Sequence, residues 1–310
     1  RGPLIEIEFA DGALVLLGAY VDSRADFVGK TLADLRETIE GWDWLVVAVI
    51  RHGETIIARG STTLEPHDHV LMMARAESTD DAYTWLGLSS APAEKVMVLG
   101  STRLAKLTAR MLADHHIHTT LVEPDMDRCR IIAEELPGVV TVCGQPTDVK
   151  LLRYEGIETT DNVMALTGWD SENVLAAMVA KSLGAREVIA RFSNTDLVGL
   201  LAGVGIDATV SSRLSAANEI LRFVRRGVIY SVVTFSDSDA EAIELEVGPS
   251  SPAIGKSLAD LKLPHSMIIG GVQRGAEAFV PRGDTVVEVG DHLIAIALPE
   301  AIATAEKLSG

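Results

Sequence analysis

The chain is short of basic residues, aromatics and cysteine. Its 310 residues hold 27 Lys and Arg against 44 Asp and Glu, a formal charge of −17. Nucleic-acid binding rests on Lys and Arg neutralising phosphates, and polybasic contact with an anionic membrane needs the same residues. The deficit argues against both. No apolar run approaches the roughly 18–20 residues that span a bilayer, and no leader peptide is visible, so direct membrane insertion is not expected. Cys129 and Cys143 are the only cysteines. They make no Cys-x-x-Cys pair and no even framework, which suits reduced thiols in a cytosol. His115-His116-x-His118 is the densest run of metal-binding side chains. It has no Cys or carboxylate at ligand spacing, and cationic side chains at a helix end are favoured by the dipole, so no metal is expected.

What the chain does have is a repeat of itself. Gly29-Lys30-Thr31-Leu32-Ala33-Asp34-Leu35 returns as Gly255-Lys256-Ser257-Leu258-Ala259-Asp260-Leu261. Further on, Glu65, Asp68 and His69 answer to Glu288, Asp291 and His292. The copies stand roughly 225 residues apart, far beyond the about 20–50 of a solenoid repeat. They mark a duplicated unit, with one more domain between the copies. Three domains follow: 1–85, 93–226 and 228–310, with the first and third alike. At 47% apolar residues, each has the means for a core of its own. The chain opens at Arg1 rather than Met, and the order B-A-B reads as a fragment or truncated relative of an A-B-A-B protein.

The middle domain alternates short apolar runs with helical stretches. Lys95 to Gly100 is a buried strand ending in Gly. A helix follows, with Ala105, Ala109 and Leu112 in one row and Leu104, Thr108 and Met111 in the next. Thr120 to Glu123 is a second strand. Asp125 caps a helix that runs to about Leu136, where Pro137-Gly138 stops it. Further strands are expected over Val139–Gly144, Asn162–Thr167, Val188–Phe192 and Ala208–Ser211, with a clear helix over Ser171–Leu183. Such alternation gives an α/β fold, a doubly wound parallel Rossmann-like sheet, flanked here by two small α+β modules. Its ligand crevice lies at the carboxyl ends of the first strands.

Phosphate binding at a helix N-terminus is the chemistry expected there. The loop is Gly100-Ser101-Thr102-Arg103-Leu104-Ala105. The first Gly of the usual Gly-x-Gly-x-x-Gly is present, the second is Thr102, and Ala105 is an accepted substitute for the third. A Thr side chain at the second position is expected to crowd a pyrophosphate, and Arg103 to offer compensating charge. Glu123 ends the second strand about 20 residues past the loop, where an acid accepts hydrogen bonds from ribose hydroxyls.

One segment is more specific than the loop. Leu151-Leu152-x-x-x-Gly156-Ile157-x-x-x-Asp161-x-x-x-Ala165-Leu166-Thr167-x-x-Asp170-x-x-Asn173, preceded by Gly144-Gln145-Pro146-Thr147-Asp148, resembles the regulator-of-potassium-conductance (RCK) domain. The flanking copies are similar to that family's smaller C-terminal module. Ile7-Glu8-Phe9-Ala10-Asp11-Gly12, Phe223-Val224-Arg225-Arg226-Gly227 and Ala240-Glu241-Ala242-Ile243-Glu244 resemble the peripheral, TrkA-type subunit of the Trk potassium-uptake system. The resemblance implies a homo-oligomeric, non-catalytic gating subunit. It would lie on the cytoplasmic face of a membrane potassium-translocating partner of TrkH/TrkG type and sense NAD(H) or ATP/ADP. It carries nucleotide contacts over to Gly100, Ser101, Thr102, Arg103, Leu104, Glu123, Gly144 and Gln145, with Thr167 in reach. Two positions depart from the family: Thr102 stands for the middle glycine, and Gln145 for an Asp.

The flanking modules are read as strands over Met267–Val272, Phe279–Pro281 and His292–Ala297, turns at Arg274-Gly275 and Arg282-Gly283, and a short helix over Ser257–Leu261. The acids of Gly290-Asp291-His292 and Pro66-His67-Asp68-His69 read as turn acids. The resemblance implies that such modules pair and sometimes bind small ions or ligands, with Asp291 and His292 as candidates. Leu214–Arg226 reads as an amphipathic helix between domains. Two other functions compete. One is an NAD-dependent oxidoreductase on the same fold, which needs a poised acid or base that no His, Lys or Tyr at a strand end supplies. The other is a scaffold that binds no nucleotide.

Overall fold

A computed structural model describes residues 5–23, 25–38, 43–88, 93–194, 206–213, 215–217, 220, 229–235 and 238–310. The chain divides into two compact units, one of Ala91–Arg213, the other of Gly2–Ser90 with Leu214–Gly310. The readings at Phe223–Gly227 and over most of Leu214–Arg226 lie outside the described residues.

The first module runs β1 (Ile5–Phe9), β2 (Leu14–Tyr20), α1 (Leu32–Thr38), β3 (Trp44–Arg51), β4 (Glu54–Ile57), β5 (His69–Arg75) and α2 (Thr79–Trp85). Its sheet is antiparallel in the order β1-β2-β5-β3-β4. β2, Leu-Val-Leu-Leu-Gly-Ala-Tyr, is buried along nearly its whole length. Antiparallel strands usually alternate because one face meets water. Here both faces are covered. Val15, Leu17 and Ala19 enter the module's own core, while Leu14 and Leu16 enter a second core shared with the other copy. β5 divides the same way, with Val70 and Met72 on one side and Leu71 and Met73 on the other.

The middle unit holds β6 (Lys95–Leu99), α3 (Arg103–Asp114), β7 (His118–Glu123), α4 (Met126–Glu135), β8 (Val140–Cys143), α5 (Val149–Tyr154), β9 (Asn162–Ala165), α6 (Asp170–Ser182), β10 (Glu187–Arg191) and β11 (Ala208–Val210). The sheet is parallel throughout, in the order β11-β10-β9-β6-β7-β8. This is the doubly wound order whose direction reverses beside the first strand. Val96 and Val98 of β6 pack with Ala105 and Ala109 of α3. Met97 and Leu99 point the other way, to a core that includes Leu152 of α5 and Ala176, Ala177 and Ala180 of α6. Helices therefore cover both faces. Asp125 caps α4, its side chain accepting from the amides of Asp127 and Arg128. Those amides hold the Asp125 carboxyl below the usual range, the Arg128 bond most strongly. The row Leu104, Thr108, Met111 is not a second core row: Met111 is 55% exposed, because the small Ala105 and Ala109 bring the other side of α3 against the sheet.

The second module repeats the first with β12 (Ile229–Thr234), β13 (Glu241–Glu246), β14 (Met267–Arg274), β15 (Glu277–Phe279), β16 (His292–Ala297) and α7 (Ile302–Glu306). Its order is β12-β13-β16-β14-β15, again antiparallel. Even the irregularity repeats: β3 slips register between Val46 and Ala48, and β14 between Ile269 and Gly271. The two sheets face each other. A side chain at Gly270 would lie 2.8 Å from Val47 Cγ1, and one at Gly271 2.7 Å from Leu14 Cδ1. Leu14 and Ile294, fully buried in this shared core, each contribute about 1.5–3 kcal/mol.

The repeated heptad has a local cause. Gly29 and Gly255 sit at φ +79 and +75, left-handed backbone that favours glycine. The hydroxyls of Thr31 and Ser257 each donate to the acid three residues on, Asp34 and Asp260, at 2.7 Å. Only the first copy continues into a helix, which corrects the expectation for Ser257–Leu261. There Ser257 bridges to Val286 as Thr31 does to Thr63, but turns follow and Lys262 lies at φ +49. Pro264 is the cause, since it forces Leu263 out of helical backbone before a second turn can close. The turn expected at Arg274-Gly275 lies one residue later, because Arg274 is still in β14.

Candidate functional site

The strand order reverses between β6 and β9, and the loops leaving those strands meet there. Gly100 stands at φ +104, and a Cβ on it would lie 2.9 Å from Thr167 Cα and 3.0 Å from Thr167 N. Only glycine permits this approach. Gly100 N donates to Val122 O at 2.8 Å, and Leu166 N to Leu99 O at 2.9 Å, so three strand ends are fixed together. Thr102 is the N-cap of α3. Its hydroxyl accepts from Ala105 N at 3.2 Å and donates to Leu166 O at 2.8 Å. The side chain is thus engaged in the cap and in the β9 loop, where it was expected to crowd a pyrophosphate. Ser101 is half-buried and Arg103 exposed. The amides of Arg103 and Leu104 open the helix and have no intrahelical acceptor.

Glu123 ends β7 and is only 3% exposed. Its Oε1 accepts from Asp125 N at 3.0 Å, and its backbone carbonyl accepts from Gly144 N at 2.9 Å. Gly144 lies so close to Leu151 that a Cβ there would collide with Leu151 Cδ2. Gln145 is exposed, and its carbonyl accepts from Asp148 N at 3.0 Å. The expected residues thus form two adjoining groups, Gly100 to Leu104 with Thr167, and Glu123 with Gly144-Gln145. They are linked because Leu99 pairs with Val122.

Beside Thr167 lies a network that the motif contained but that was given no role. Asn173, fully buried, accepts from Thr167 N at 2.7 Å and donates to Arg191 O at 2.9 Å. Asp170 accepts from Ser193 N and Asn194 N at 3.0 and 3.2 Å. These bonds tie the β9 and β10 loops, and their signal was the spacing Thr167-x-x-Asp170-x-x-Asn173.

The candidate ion ligands of the flanking modules are occupied. Arg274 Nε and Nη2 donate to the two oxygens of Asp291 at 2.8 Å each, and Nη1 to Glu288. The bond to Asp291 and the two negative charges raise the guanidinium pKa further. Arg51, Asp68 and Glu65 repeat the arrangement at the same 2.8 Å distances. His292 faces Glu244 at 3.4 Å. Among the described residues no group of three or more His, Cys, Asp or Glu side chains is arranged to hold a metal.

Between the paired modules is a cavity of about 510 Å³. Its lining comes in equivalent pairs: Leu32 with Leu258, Arg36 with Lys262, and Arg59 with Arg282. Arg59 crosses between the copies to donate to Pro264 O and Met267 O at 3.0 and 2.7 Å, and burial lowers its pKa. A concentration of cations in so acidic a chain was legible once the copies were aligned, and the sequence reading missed it.

Comparison with known proteins accords with this geometry. The TrkA-N domain family matches residues 96–212, and the TrkA-C domain family matches residues 16–87 and 242–310. A Trk system potassium uptake protein TrkA homolog of Archaeoglobus fulgidus is 31% identical over 308 residues, covering 99% of this chain and 69% of that protein. Homolog 1 of Methanosarcina mazei is 32% identical over 301 residues, covering 96% and 66%. The chain thus spans about two thirds of the length of these relatives. Among solved structures, the GsuK RCK domain aligns with a TM-score of 0.52 at 19% identity, covering 99% of this chain and 66% of that one. The GsuK channel bound to NAD gives the same score at 18% identity, covering 99% and 55%. Among the described residues no helix is long and apolar enough to cross a membrane. The chain belongs to the TrkA family of Trk system potassium uptake proteins.

Proposed function

We propose that this chain is a regulatory part of a potassium-uptake system, binding NAD(H) or an adenine nucleotide in the middle unit and passing its occupancy to a membrane potassium-translocating subunit of TrkH/TrkG type. The observation that carries the reading is the crevice at the reversal of strand order. The α3 N-terminus offers the amides of Arg103 and Leu104 to phosphate, and Arg103 adds charge. Glu123 has one carboxylate oxygen engaged by Asp125 N. The other oxygen is the acceptor for a ribose hydroxyl. The engaged Thr102 leaves more room for phosphate than its residue type suggests. One solved structure of similar fold is the GsuK channel bound to NAD.

Among the described residues the carboxyl ends of β6 to β10 present no His, Lys or Tyr as general acid or base, and an oxidoreductase stays the second reading. The cavity between the paired modules suits an apolar ligand bearing anionic groups, met by Arg36, Lys262 and Arg282. Homo-oligomers on the cytoplasmic face of the partner complete the proposal. The test is potassium flux into vesicles holding the membrane subunit, with and without this chain and each nucleotide. Nucleotide-dependent flux only when the chain is present supports it. Flux indifferent to the chain contradicts it.

A further inference from the structure

The fold brings the chain's only two cysteines to one turn. Cys129, in α4, donates its thiol to Glu123 O at 3.2 Å. Cys143 ends β8 directly opposite Glu123 in the parallel register, and its thiol lies 3.9 Å from Pro124 O. The sulfurs therefore rest on the neighbouring carbonyls of Glu123 and Pro124. Both are free thiols, Cys129 buried and Cys143 partly accessible. The turn they flank is the one that holds Glu123, through Asp125 N and Gly144 N.

We propose that Cys129 and Cys143 are a reversible oxidation site, closing to a disulfide in response to a hydroperoxide and thereby weakening nucleotide binding. The second half rests on the nucleotide reading above. Cys143, the more accessible thiol, meets the oxidant first. Its sulfur attacks one peroxide oxygen, the O–O bond breaks, and with hydrogen peroxide a sulfenic acid and water result. The Cys129 sulfur then attacks the Cys143 sulfur. The S–S bond forms, the S–O bond breaks, and the leaving hydroxide takes the Cys129 proton as water. The sum is two thiols and one peroxide to one disulfide and two waters, and an external dithiol reverses it. Burial first, and then Cys143, push the Cys129 thiol up to about 12. That keeps Cys129 protonated and leaves the first encounter with the oxidant to Cys143. A disulfide holds its sulfurs about 2.05 Å apart, closer than two unbonded thiols. Closure draws the β8 end toward α4 and takes the Cys129 thiol from Glu123 O.

The test is peptide mapping of the whole chain after hydrogen peroxide, and again after dithiothreitol, beside Cys129→Ser and Cys143→Ser. Titration with nucleotide accompanies it in each state. The expected result is an intramolecular Cys129–Cys143 crosslink that dithiothreitol removes. Affinity should fall by at least about fivefold, the low end of ordinary coupling between sites, and neither Ser variant should show an oxidative loss. Sulfinic acid at Cys143 with Cys129 still a free thiol, or crosslinks only between chains, overturns the site. A mapped crosslink with unchanged affinity overturns the coupling. If the reduced chain binds no nucleotide, the nucleotide reading fails and the coupling with it, while mapping alone decides the crosslink.

Discussion

Removing Arg274 strands a buried charge. The Asp291 side chain is 1% exposed, and that of Arg274 35%. In Arg274→Met the carboxylate keeps only the amide of Glu288, at 2.9 Å, and loses both guanidinium bonds. Breaking a buried pair from one side costs about 3–5 kcal/mol. Partial exposure of the arginine admits water to the orphaned carboxylate, which favours the bottom of that range, about 3 kcal/mol. Urea denaturation followed by tryptophan fluorescence, to which Trp44 and Trp85 of the first module contribute, reads it out, because the two modules share a core and should unfold together. Arg51→Met should cost a similar amount, since Arg51 meets Asp68, Glu65 and the Thr63 carbonyl as Arg274 meets Asp291, Glu288 and the Val286 carbonyl. Adding Asp291→Asn to Arg274→Met should restore most of the loss by removing the buried charge while keeping an acceptor for Glu288 N. A loss below about 1 kcal/mol, the value of an exposed pair, would refute the reasoning, as would a double variant no better than the single.

Three further predictions concern the middle unit and the cavity. Gly100→Ala forces a Cβ against Thr167 and a side chain onto left-handed backbone, and should cost at least about 1–3 kcal/mol from strain alone, measured by calorimetric melting. Asp161 is held below its ordinary pKa by the amides of Lys95 and then Glu94. A lowered folded pKa adds stability above the unfolded value of 3.8 that is lost as pH falls through the folded value. Asp161→Asn should therefore be less stable at pH 7 but lose less on acidification, seen in melting curves from pH 6 to 2.5. In the cavity, a multivalent anion should raise the melting temperature of the wild type and have little effect on Arg282→Glu. Equal shifts in the two would place the anion elsewhere.

The middle unit was legible because its strands are short apolar runs ended by Gly, Pro or a capping Asp, and local chemistry sufficed. The topology of the flanking sheets was harder. β2 and β5 are apolar on both faces because a second copy covers the face that usually meets water, a tertiary fact that no period in the strand reveals. The helix expected over Ser257–Leu261 is a run of turns, because Pro264 bars helical backbone at Leu263. At the site, the positions of Gly100, Glu123 and Thr167 followed from strand ends. Whether a side chain turns inward did not: the burial of Glu123, the cap made by Thr102 and the meeting of Cys129 with Cys143 all depend on how α3 and α4 settle on the sheet.

The measurement closest to the central claim is calorimetric titration of the reduced chain with NAD, NADH, ATP and ADP, beside Glu123→Gln. Gln keeps an acceptor for Asp125 N but replaces the oxygen offered to ribose with a donor. The account predicts saturable binding of at least one nucleotide by the wild type and clear weakening in the variant, with the fold intact by circular dichroism. No heat with any of the four, or equal affinity in the two proteins, would contradict it.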